Sequence, residues 1–221
     1  MFTNNIEKIT MLFLLNEDNI NIRPYKDEVR DYEEIAIIQI SINDKSKSNM
    51  IGEIVQSTIP YPTIIIFTMD DEVQINVATK MINKVDSSKN TVETMISSYW
   101  LNINNISIIE KEFIESLSIV NLSFANFYRF YMDIYNRVFL LNTSQYFNEY
   151  KSLLAKNIEI VKKSYYEIHD LDFTLERLRR EIKKEDNFSR KAKLNVEIKS
   201  LEKETKIMIN KILNLEGDKI E

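Results

Sequence analysis

Two runs of apolar residues at heptad spacing, separated by a short polar break, restrict the last third of this chain to one kind of shape. Ile168, Leu171, Leu175, Leu178 and Ile182 are spaced three, four, three and four apart. Leu194, Ile198, Leu201, Thr205, Met208, Ile212 and Leu215 alternate four and three, with charged residues between them. This is the seam of a coiled coil, where one stripe of a helix returns to its partner every 3.5 residues. The break Glu185-Asp186-Asn187-Phe188-Ser189 is too short for a parallel pairing, so the helices must fold back as an antiparallel hairpin. Ser189 or Asn187 is placed to cap the second helix. At ~1.5 Å per residue, a second arm of about 25 residues reaches nearly 40 Å. Two helices bury a single seam, so the outer part of such an arm is weakly stabilised unless it docks on the body or on a partner.

Composition narrows the rest. The 221 residues include two glycines and three prolines, which favours long elements over a many-stranded sandwich. With 44% apolar and 29% charged residues the chain buries a core and is not disordered. The absence of cysteine excludes disulfides, thiolate nucleophiles and zinc–thiolate sites, and fits a reducing cytoplasm. A single histidine, His169, cannot build a two-histidine metal site. No cofactor is expected. The start of the chain lacks a basic region and a cleavage site, and no segment approaches the ~20 apolar residues of a membrane span. Neither a signal peptide nor a membrane is expected.

The body reads as a small mixed sheet packed with helices. Phe2, Ile6, Ile9 and Phe13 predict one face of a short helix ending near Asn16, followed by a loop through residue 32. Glu34–Ile42 is an isoleucine-rich strand. Asn49 is a candidate cap for a helix over Met50–Thr58, stopped by Pro60 and Pro62. Thr63–Thr68 is an apolar, central strand. A polar turn joins it to Val73–Thr79, with Val73, Ile75 and Val77 inward, as a β-hairpin. Residues 81–122 suggest irregular packing around Trp100 and the isoleucines after it. From Ser123, Phe124, Phe127, Tyr128, Tyr131, Ile134, Tyr135, Val138 and Phe139 share one helical face. That spacing fits a core layer better than a base-stacking platform. The fold class expected is α+β, with an α/β body over residues 1–145 and a helical hairpin over 146–221.

Charge is uneven along the hairpin. Glu176–Lys193 holds eight basic and four acidic residues, a net +4, so the rest of a chain of net −5 sums to −9. The candidate binding residues are Arg177, Arg179, Arg180, Arg190, Lys191 and Lys193, suited to phosphate or to an acidic protein surface. Alternating Lys and Glu also merely solubilises a coiled coil.

Chemical motifs are otherwise missing. Gly52 alone cannot form a phosphate-binding loop, and no Gly-x-Ser-x-Gly elbow is present. His169 beside Ile168 reads as a helix surface residue rather than an acid–base catalyst. A divergent metal-dependent nuclease would draw on Glu34, Glu53, Asp70 and Lys80 around the sheet. Against it, Gln39-Ile40-Ser41 carries serine where that chemistry needs lysine, and charges commonly cap strands and turns.

The run Lys184-Glu-Asp-Asn-Phe-Ser-Arg-Lys-Ala-Lys-Leu-Asn-Val-Glu-Ile-Lys-Ser-Leu-Glu-Lys resembles the C-terminal signature of the bacterial domain of unknown function 4391 family. Ile59-Pro-Tyr-Pro before an apolar strand, Val73–Lys80, and Ser98–Trp100 are similar to its middle motifs, and the resemblance spans roughly residues 34 to 215. It implies no activity. It implies an accessory subunit near helicase and DNA-methyltransferase genes of restriction-like phage-defence clusters. The expectation is therefore a non-catalytic interaction subunit with a protein partner such as a helicase or methyltransferase subunit. Nucleic acid would be touched through the basic tip, and a homo-oligomer through the hairpins is the remaining arrangement.

Overall fold

The computed structural model describes residues 3–83, 86 and 90–214. The chain divides into two compact units, Met1–Asn142 and Thr143–Glu221.

The first unit is a six-stranded mixed sheet. Its order is β1 (Ile6–Leu15), β4 (Ile35–Ile42), β5 (Thr63–Met69), β6 (Glu72–Ile82) and β7 (Asn90–Ser97), with β8 (Leu101–Asn102) also paired to β6. β4 and β5 run parallel, and every other pair in this sheet is antiparallel. A short hairpin of β2 (Tyr25–Lys26) and β3 (Asp31–Tyr32) forms a second, two-stranded sheet. The parallel connection from β4 to β5 needs a crossover, supplied by helix α2 (Ser48–Thr58). Ala36, Ile38, Ile40 and Ile42 of β4, Ile65 and Phe67 of β5 and Ile51 of α2 form one buried cluster. Asn76 faces the same helix through Gln56 Nε2 at 3.0 Å.

The opposite face is covered by α4 (Phe127–Phe147), whose Tyr135 hydroxyl lies 3.0 Å from Thr94 Oγ1, with Thr94 paired to Thr79. The Tyr131 hydroxyl sits 2.9 Å from the carbonyls of Thr63 and Ala78 and accepts the Ala78 N–H at 3.0 Å. Coverage on both sides explains why β4 and β5 read as nearly unbroken apolar runs. On β6, Val77 is buried as expected, but so are Gln74 and Asn76 on the other face, while Val73 and Ile75 are only half-buried. Phe127, Tyr131, Ile134, Tyr135, Val138 and Phe139 are core residues, as their spacing indicated, whereas Phe124 precedes the helix and is 47% exposed.

Several local expectations are overturned. Residues 6–15 are a strand, not a helix (Phe2 lies outside the described residues). Register shifts between Ile6 and Lys8 and between Met11 and Phe13 break the two-residue alternation, so a bulged strand imitates helical spacing. The supposed loop over 17–32 contains one helical turn, α1 (Glu17–Ile20), the β2–β3 hairpin, and fully buried Ile22 and Tyr32. Asn49 does not cap α2. The helix starts at Ser48 without a side-chain cap, and Asn49 Oδ1 instead accepts from Ser97 Oγ at 3.0 Å. The region taken as irregular holds β7, β8 and α3 (Ile108–Ser116), the last opened by a Ser107–Glu110 capping box. Trp100 packs on the sheet cluster as expected, but Ile103, Ile106 and Ile108 are exposed.

The second unit contains a short helix, α5 (Lys151–Leu154), and two long ones, α6 (Ile158–Lys184) and α7 (Phe188–Leu213), which pack together. Leu175, Leu178 and Ile198 form a buried cluster joined by Ile182, Leu194 and Leu201, and Arg179 reaches Glu202. Residues early in α7 thus meet residues late in α6, so the pair runs antiparallel. Ile168 and Ile212 are buried and Leu171, Thr205 and Met208 half-buried, while Leu215 lies outside the described residues. Asn187, not Ser189, caps α7, its Oδ1 accepting the Arg190 N–H at 3.1 Å.

Candidate partner-binding site

The turn between α6 and α7 places all six expected binding residues near one end of the helix pair, and all six are exposed. They ring that end rather than converge. At 100° per residue, Arg177, Arg180 and neighbouring Lys184 lie opposite the seam of Leu175, Leu178 and Ile182. Arg179 lies beside the seam, Lys193 on the outer side of α7, and Arg190 and Lys191 in the first turn of α7.

Three of the six are engaged locally. Arg179 Nη2 donates to Glu202 Oε1 at 2.6 Å, Arg180 Nη2 to Glu176 Oε2 at 3.2 Å, and Arg190 Nη1 is 4.0 Å from Glu185 Oε2. These pairs are solvent-exposed and hold their geometry weakly. Arg177, Lys191 and Lys193, together with Lys183 and Lys184, carry no ion pair among the described residues. Phe188, in the turn, is 85% exposed. An apolar ring held in water among cations has no role in the seam, and an aromatic beside arginine is a common composition for an anchoring contact. Reasoning from charge alone passed over Phe188; its position between Asn187 and Ser189, off the heptad seam, was the available signal.

His169 is exposed on α6 and lines a recess of about 280 Å³ with Tyr146, Asp172, Phe173, Glu176 and Arg179. The recess shares Arg179 with the basic end, but nothing in it resembles a nucleophile oriented by a base.

In the first unit the carboxylates weighed for a nuclease are dispersed. Glu34 precedes β4 and Asp70 follows β5, and the β4–β5 register sets them at opposite ends of the sheet. Glu53 is exposed on α2. Among the described residues no group of three or more His, Asp or Glu is placed to share a metal ion. A cleft of about 520 Å³ beside Pro60–Pro62 is lined by Glu17, Asp18, Asp31, Glu33 and Glu34. Lys26 bridges Asp31 at 2.6 Å and Glu33 at 3.5 Å.

Lys80 is the one buried lysine among the described residues, 1% exposed. Its Nζ donates to the carbonyls of Ile59 at 2.6 Å and Tyr61 at 2.5 Å. Burial pushes its pKa down to about 7. Lys80 therefore ties the end of β6 to the two-proline loop that turns α2 into β5. The Tyr32 hydroxyl accepts the Lys80 backbone N–H at 3.2 Å, and burial raises that phenol to about 12. Ser98, in another resemblance motif, is equally structural: its Oγ accepts the Ile75 N–H at 2.9 Å and its carbonyl accepts Gln74 Nε2 at 2.8 Å.

The chain matches the family model described as Domain of unknown function (DUF4391) over residues 1–204. The match includes residues 1–33, which the motif resemblance did not reach. No curated protein and no solved structure matches the chain.

Proposed function

The chain belongs to the domain of unknown function 4391 family, and from that premise we propose that it is a non-catalytic interaction subunit whose helix pair presents its basic end to a partner. The observation that carries this reading is the exposed Phe188 at the turn end of the pair, set among cations that form no ion pair among the described residues. The heptad seam of α6 and α7 makes an antiparallel coiled-coil arm of the pair. Such an arm presents a binding end at low cost in core. Arginine offers bidentate contacts to carboxylate or phosphate, and lysine acts as a point charge. The partner expected from the family resemblance is a helicase or methyltransferase subunit of a phage-defence or restriction-modification-type complex in the bacterial cytoplasm, with nucleic acid as a further contact of the same end.

The test is a triple charge reversal, Arg177→Glu, Lys191→Glu and Lys193→Glu, at exposed positions whose side chains form no ion pair among the described residues. Helix content by circular dichroism should be unchanged. Co-purification of the partner from the native host should fall sharply, and any DNA binding should lose both affinity and salt dependence. Unchanged co-purification together with unchanged salt-dependent binding refutes the reading.

A further inference from the structure

The two edges of the six-stranded sheet are built differently. β7 exposes Thr91, Glu93 and Thr94, polar side chains that discourage further pairing. β1 is ten residues long, pairs only with β4 among the described residues, and has no charged residue from Ile9 to Leu15. Ile9 and Met11 are each 55% exposed, Leu12 37% and Phe13 61%. By register with β4, Ile9 and Met11 lie on the α2 side of the sheet, level with Ile40 and Ile38, while Phe13 lies on the other side, level with Ile37. The outer edge of β1 thus combines, over Ile9–Phe13, main-chain groups that meet no further strand among the described residues with apolar side chains on both faces; beyond them the Leu14 carbonyl is taken by Asn19 Nδ2 at 2.8 Å. The device that native sheets use at an edge, a charge or a proline, is missing there.

We infer that β1 is a self-association edge, pairing antiparallel with β1 of a second copy about a two-fold axis that falls within Ile9–Phe13. Charge permits a second copy and sets the direction. The only charged residues of the strand, Glu7 and Lys8, sit together at one end. An axis at Met11 leaves Lys8 and its symmetry mate roughly 20 Å apart, at ~3.4 Å per residue. A parallel pairing would set like charges side by side. Area gives the strength. At about 200 Å² for a fully exposed large side chain, the four apolar residues offer roughly 400 Å² per copy. Two copies offer about 800 Å² of side chain, to which two main-chain edges add, reaching the low end of the ~1,200–2,000 Å² of stable interfaces. An interface this small suits a dimer that dissociates on dilution. It does not use the helix pair, so it stands or falls separately from the binding end.

Sedimentation of the full chain from about 1 to 200 μM tests it, the range following from the small interface. The weight-average mass should rise from 26.2 kDa toward twice that value. Met11→Lys, a change at a half-exposed position, should hold the mass at 26.2 kDa, while Ile108→Lys on α3, 80% exposed, should leave the dimer intact. Because the chain has no cysteine, single substitutions Ile9→Cys, Met11→Cys and Phe13→Cys report the axis directly. Oxidative cross-linking should be strongest at one of them and much weaker at Ile108→Cys. A wild-type mass of 26.2 kDa throughout, a Met11→Lys protein that dimerises like wild type, or a dimer abolished by the tip reversals but not by Met11→Lys overturns the proposal.

Discussion

Lys80 predicts that this protein becomes more stable as the pH rises from 7 to 9. Its side chain is 1% exposed and has no carboxylate partner among the described residues; it donates to the Ile59 and Tyr61 carbonyls. Those carbonyls favour the ammonium, but burial outweighs them and lowers the pKa from 10.5 to about 7. Between these values the unfolded chain binds a proton that the folded chain has released, so stability increases with pH. The limiting slope is ~1.4 kcal/mol per pH unit, and from pH 7 to 9 the gain integrates to about 2 kcal/mol. The neutral amine keeps two N–H groups, enough for both carbonyls, so the tie survives deprotonation. Above pH 10 the trend reverses. Tyr32 and Tyr131 are both raised by burial, and a group whose folded pKa is raised loses its contribution as pH climbs past the unfolded value. Urea unfolding at pH 7, 8 and 9, followed by circular dichroism at constant ionic strength, measures the slope. Lys80→Met, close in volume and unable to titrate, should flatten it. Stability that is flat or falling from pH 7 to 9 in the wild type, or an unaltered slope in Lys80→Met, would refute the reasoning.

Other substitutions test the packing. Leu178→Ala, in a 2% exposed seam position, should cost about 2–5 kcal/mol in urea unfolding of the second unit. Asn187→Ala removes the α7 cap and should cost about 1 kcal/mol, read by thermal melting of helix signal. Glu202→Ala should change stability by less than ~1 kcal/mol, because its bridge to Arg179 is 54% and 41% exposed. Gly52→Ala should destabilise by about 1–3 kcal/mol in urea despite the better helix propensity of alanine. A Cβ there would lie 3.0 Å from Asn76 Nδ2, and Asn76 can give way only by disturbing its hydrogen bonds with Gln56 and Ser97.

Elements that carry their own pattern were readable from the sequence. β4 and β5 announce themselves because both faces are covered and most of their positions are apolar. α6 and α7 do so because a two-helix seam repeats over many turns. Elements that depend on a neighbour were not. β7 is a polar edge strand whose reason for being extended is the hydrogen-bonding rim of β6. β1 is a bulged edge strand, and spacings of three and four residues describe it as well as a helix. Asn49 has a cap's chemistry but finds Ser97 instead. At the site, sequence placed the basic residues at the end of the hairpin by counting charges. It could not place Arg179 against Glu202, nor show that Phe188 remains in water. Lys80 was visible only as a lysine ending an alternating strand. Its environment is made by a loop nearly twenty residues earlier, and no local pattern encodes that.

The most direct test of the interaction-subunit account is isolation of the tagged chain from its native host at physiological expression, beside the Arg177→Glu, Lys191→Glu, Lys193→Glu variant and a Phe188→Ala variant. The account predicts a stoichiometric protein partner with the wild type and its loss from both variants, each with unchanged helix content. Recovery of the same partner in the same amount with all three proteins would contradict it.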